Sequence, residues 1–128
     1  MYSSCSFDPA TGELRIRVAD TFDVEEAKAC MQRFRGFKGG RVGRLVFDLS
    51  KTQHLHTAGL GTMLYIRSCC PVSDENAHIV FHHPSVGMIL RLANLDRWFR
   101  LIPEGPAQQS DVPLRRMVRA DSPARLAS

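Results

Sequence analysis

No stretch of the chain approaches the roughly 18 to 20 consecutive apolar residues that span a bilayer, and the polar start Met1-Tyr2-Ser3-Ser4-Cys5 has no signal-peptide core. Membrane insertion is therefore not expected, and a cytoplasmic location is the default expectation. Cysteine is sparse as well. Cys5, Cys30, Cys69 and Cys70 form no CxxC pair, and the adjacent Cys69 and Cys70 suit ordinary disulfide geometry poorly, so the four read as reduced thiols that mostly pack. The loops that carry common chemistries are missing: there is no GxxxxGKS/T or GxGxxG phosphate cradle, no HExxH, no GxSxG elbow and no cysteine in a recognisable catalytic motif. Neither catalysis nor a cofactor is expected.

What is present is ordinary in amount. A hydrophobic fraction of 44% and a charged fraction of 23% over 128 residues fit one soluble domain with a real core and argue against wholesale disorder. Seventeen basic against thirteen acidic side chains leave +4, too mild a balance to imply nucleic acid. The local concentration is Arg33, Arg35, Lys38, Arg41 and Arg44, a run without an intervening acid that crosses a helix end and a glycine-containing turn. It reads as a solvated face or as a surface for an anionic partner. Direct nucleic-acid binding is not expected, because exposed aromatics interleaved with the cations are missing and Phe34 and Phe37 suit the core.

The order of elements is legible from periodicity. Ser3 to Phe7, a turn at Asp8-Pro9-Ala10-Thr11-Gly12, and Glu13 to Val18 read as an antiparallel hairpin, with Leu14, Ile16 and Val18 alternating with charge. Asp23 stands at an N-cap with Glu26 three residues on, and Val24, Ala27, Met31 and Phe34 line one face of a helix over about 24–35. Gly36 and Gly39-Gly40 stop it. Arg44-Leu45-Val46-Phe47-Asp48-Leu49 is nearly continuous in apolar character, which predicts a central strand covered on both faces. A largely buried helix runs from Thr57 to Cys70 before Pro71. His78 to His82 is a strand, Pro84-Ser85 opens a third helix with Asn94 as its stop, and Trp98 to Ile102 is a last short strand or docking segment. From Pro103 the composition turns to Pro, Gln, Ser, Asp and Arg, so the domain is placed at 1–103 and residues 104–128 are expected to be a disordered tail.

Two strings resemble a known family. Leu45-Val46-Phe47-Asp48-Leu49-Ser50 followed by His54-Leu55-His56-Thr57-Ala58-Gly59-Leu60-Gly61 is similar to the STAS signature, in which a buried strand leads to Asp-Ser-Ser-Gly-Leu-Gly opening a helix. Ile89 to Pro103, through Asn94-Leu95-Asp96, is similar to the same family's closing helix, Gly-Leu-Asp and short apolar strand. With Thr21-Phe22-Asp23 opening the first helix, the likeness covers about residues 3 to 103. The fold class expected is α/β: a STAS-like single domain with a mixed four- to five-stranded sheet, an N-terminal antiparallel hairpin and helices packed mainly on one face.

The resemblance implies a bacterial signalling and transcription-regulating module, an anti-sigma-factor antagonist that acts by protein–protein interaction. Its implied partner is an anti-sigma factor with a GHKL-type kinase fold, which phosphorylates the first Ser of the string; by motif position that residue is Thr57. The unphosphorylated protein binds and the phosphorylated one is released. The implied docking residues are Asp23, His56, Thr57, Ala58, Gly59 and Leu60, on a monomer or weak dimer. His56 replaces the family's Asp, and Ala58 its second Ser. Thr57-Ala58-Gly59-Leu60 also resembles STAS subunits that dock on the ATPase of bacterial lipid-transporting ABC systems, where phosphorylation is not the known switch.

Each of these residues also has a plainer reading. Thr57 and Asp23 are good N-caps, and Gly59 and Gly61 suit close packing inside the domain. A rival of another class is a metal site from His54, His56, His82 and His83, which would converge just past two strands if those strands are adjacent and parallel.

Overall fold

The computed structural model describes residues 4–104; the tail expected over 104–128 lies, apart from Glu104, outside the described residues. The hairpin forms as its alternation requires: β1 (Ser4–Asp8) and β2 (Glu13–Arg17) pair antiparallel, with Phe7 opposite Leu14 and Cys5 opposite Ile16. β4 (Arg44–Leu49) lies parallel to β2, β6 (Ala77–Phe81) parallel to β4, and β7 (Arg100–Pro103) parallel to β6. The five-stranded sheet has the order β1-β2-β4-β6-β7, with β4 at its centre. Each parallel step is a crossover through one helix: α1 (Val24–Arg35), α2 (Thr57–Cys69) and α3 (Pro84–Leu92). β3 (Thr21–Phe22) and β5 (His54–Leu55) form a separate parallel pair.

The helices share one side of the sheet. Leu14, Ile16, Leu45, Phe47, Leu49, Ala77, Ile79 and Phe81 join one core cluster with Ala27 and Cys30 of α1, Met63 and Ile66 of α2, and Val86 and Leu90 of α3. Cys30 and Cys70 are buried, Cys5 is half-buried and Cys69 exposed, and none of the four is in a disulfide. Burial pushes the Cys5 and Cys70 thiols above their ordinary values, which suits packing rather than thiolate chemistry. Asn94 ends the α3 segment at φ 61°, the left-handed conformation that an asparagine tolerates at a helix stop.

The expectation that β4 is covered on both faces needs correction. Its second face carries no α-helix among the described residues; it presents Arg44, Val46 and Asp48 beside Glu13, Arg15 and Arg17 of β2. Val46 is nevertheless only 2% exposed. The Arg15 guanidinium, whose residue is level with Val46, reaches along the sheet to Asp48 Oδ2 at 2.8 Å and to Glu13 Oε2 at 3.1 Å. Ionic side chains therefore flank Val46 on this sheet face, bonded to one another along the β2 and β4 strands.

Candidate functional site

The site expected from the sequence is the start of α2, and its position is fixed upstream. At the end of β4, Asp48 Oδ1 accepts from the Ser50 N–H at 3.0 Å and the Ser50 hydroxyl at 2.6 Å. Burial alone would raise the Asp48 carboxyl, but the Ser50 bonds and Arg15 together hold it below the ordinary carboxylate value. The turned chain then brings Thr52, fully buried, under the β2–β3 connection, where its hydroxyl donates to the Ala19 carbonyl at 2.8 Å. The Ala19 N–H donates to Glu26 Oε2 at 2.8 Å. Ala19 is therefore held at its N–H and at its carbonyl by two buried polar side chains, Glu26 and Thr52, each of which it satisfies in turn.

The consequence is register. The Asp20 carbonyl accepts from the Gln53 and His54 amides at 2.7 and 3.1 Å, β3 pairs with β5 so that Phe22 is level with Leu55, and the Phe22 carbonyl accepts from the His56 N–H at 3.1 Å. Asp23 follows one member of that last pair and His56 the other. The starts of α1 and α2 consequently leave the same short ladder side by side.

At α1 the sequence reading holds: Asp23 is the N-cap and its carboxylate accepts from the Glu26 N–H at 3.0 Å. Glu26 does not return the bond to Asp23, as a reciprocal capping box would have it, because its carboxylate is turned to Ala19. At α2 the cap is displaced by one. His56 is the N-cap, without a side-chain capping bond, and Thr57 is the first residue inside the helix. Thr57 is therefore not the N-cap, and its exposed hydroxyl makes no hydrogen bond among the described residues. The Gly59 and Leu60 amides donate to the His56 carbonyl at 3.0 and 3.3 Å, which leaves the Thr57 and Ala58 amides without a partner inside the helix. No acidic residue lies in this first turn.

The remaining residues of the string divide between surface and core. His56 is exposed, and Ala58 and Leu60 are half-buried. Gly59 is buried against Phe22: a Cβ there would lie 2.7 Å from the ring. Gly61 faces open space, with nothing within 4 Å of such a Cβ. Asp23 lines an open groove of about 640 Å³ along α1, together with Asp20 and Glu25.

The four histidines are not assembled. The strands that precede the two pairs, β4 and β6, are adjacent and parallel as that reading required, but His54 itself lies in β5, in the separate two-stranded pair. His82 and His83 have ring centroids 6.4 Å apart, and His82 Nδ1 is occupied by the Glu104 carbonyl at 2.8 Å. Among the described residues no group of three or more His, Cys, Asp or Glu side chains could hold a metal ion. The sequence reading missed Glu26 and Thr52 as positioning residues; no local signal sets them apart, since Glu26 stands beside Glu25 and Lys28 and Thr52 between Lys51 and Gln53. No protein-family model matches the chain.

Proposed function

We propose that the protein is an anti-sigma-factor antagonist-like regulator of STAS type, which docks through the start of α2 and the neighbouring start of α1 on an anti-sigma factor with a GHKL-type kinase fold. Phosphorylation of Thr57 releases it. The observation that carries the reading is the exposed Thr57 hydroxyl in the first turn of α2, beside two amides with no intrahelical partner and with no carboxylate in that turn. A phosphate adds about −1.5 to −2 charge, which the positive end of the helix dipole and the nearby amides accommodate while the fold persists. The same charge placed in a packed interface repels acidic groups and must be desolvated, so the partner leaves. The five-stranded mixed sheet, its N-terminal hairpin and helices on one face support the reading at the level of architecture.

The test is quantitative capture from the protein's own cells with three baits: the native chain, Thr57→Ala and Thr57→Glu. A GHKL-type kinase enriched on the first two and depleted at least tenfold on the third is the expected result. Equal recovery on all three refutes the switch. Recovery of an ABC-transporter ATPase instead, indifferent to residue 57, transfers the protein to the transporter-subunit reading that Ala58 favours.

A further inference from the structure

Adjoining the groove at Asp23, with which it shares Lys28 and Gln32, a second groove of about 360 Å³ between α1 and α2 is lined also by Val24, Ala27, Met31, Arg35, Ala58 and Thr62. Apolar side chains, Val24, Ala27, Met31 and Ala58, make up about half of its lining. Val24 is 55% exposed, a large value for a valine in a helix that is otherwise anchored on its inner face, and Met31 and Ala58 are only half-buried. Positions 24, 28, 31 and 35 recur at the spacing that places them along one stripe of α1. The only charged groups lining the groove are cations, Lys28 and Arg35, and Arg35 belongs to the acid-free basic run that continues through Lys38, Arg41 and Arg44. From α2 it is lined by Thr62 and by Ala58, the residue after Thr57.

We infer that this groove receives an acidic amphipathic helix of the protein partner, with an apolar side chain seated on Val24, Met31 and Ala58 and carboxylates facing Lys28 and Arg35. The inference rests on the docking role proposed above and names the chemistry of the docked element. Charge complementarity chooses the occupant: a basic helix would meet two cations and no compensating acid, and a polar one would leave Val24 and Met31 uncovered. A nucleic-acid strand fits less well, because two cations beside these apolar side chains offer few phosphate contacts and no aromatic side chain on which a base could stack.

The test uses the full chain, labelled with ¹⁵N, and four probes: a 14-residue helical peptide with Leu at i, i+4 and i+7 flanked by Glu, the same peptide with Lys for Glu, the same with Ser for Leu, and a 20-nucleotide single strand. The Glu–Leu peptide is expected to shift the amides of Lys28, Met31, Arg35, Ala58 and Thr62. Its affinity should fall at least tenfold against the Lys28→Glu/Arg35→Glu variant, and the Lys peptide should bind that variant better than the native chain. The milder Lys28→Gln/Arg35→Gln variant keeps the test decisive if the reversed one is unstable. Absent binding, equal binding of the Glu and Lys peptides, shifts confined to other surfaces, or binding of the oligonucleotide alone overturns the inference. With the captured partner, the two proposals separate. Binding lost on reversing Lys28 and Arg35 but kept in Thr57→Glu retains the groove and rejects the switch; the opposite pattern retains the switch and rejects the groove.

Discussion

Two glycines two residues apart on α2 make the contrast between packing and surface measurable. Gly59→Ala drives a methyl group into the Phe22 ring, itself fully buried, and is expected to destabilise the domain by about 1–3 kcal/mol in chemical denaturation. Gly61→Ala meets nothing and should stabilise it by about 0.5–1 kcal/mol, since an exposed helix interior favours alanine. The sequence marked both as close-packing candidates alike, because a glycine's neighbours across the fold leave no trace in its local pattern. Thr57 belongs to the same scale. With His56 as the cap, Thr57→Ala should change stability by less than about 0.5 kcal/mol, whereas a capping threonine would lose about 1 kcal/mol; thermal melting at one pH distinguishes them.

At the scale of elements, the helices and long strands were legible because each carries a period: alternation in β2, the 24–27–31–34 stripe of α1, the capping Asp23 whose bond to the Glu26 amide is observed. The β3–β5 ladder was not, since two residues have no period, and it is this ladder that sets the α1 and α2 starts side by side. Its stability depends on Glu26 and Thr52 clasping Ala19. Thr52→Val keeps the volume but orphans the Ala19 carbonyl, so a loss of about 1–3 kcal/mol is expected, with hydrogen exchange at His54 and His56 accelerating before that of β4. Unchanged exchange there would mean that the clasp does not hold the ladder.

At the scale of the molecule, one sheet face lies under three helices and the other is open and ionic. Asp48 is the centre of the open face, with Arg15 and Ser50 bonded to it. Its folded value lies below the unfolded one, so its contribution is fully present above the unfolded value of about 3.9 and is lost as pH falls through the lower folded value. Asp48→Asn should therefore cost about 1.5 kcal/mol at pH 7 and flatten the acid limb of the stability profile below about pH 4. The hydrophobic run of β4 concealed this face, because Val46 is buried beside the Arg15–Asp48 pair with no helix over it among the described residues.

In the proposed switch, charge added at Thr57 releases a protein partner from an intact fold. The most direct measurement separates the bound and free pools of the protein from its own cells by native size exclusion and reads the mass and fragment ions of each. Phosphate on Thr57, confined to the free pool, is the predicted result. Equal occupancy of Thr57 in both pools, or no phosphate on it under any growth condition, would contradict the claim.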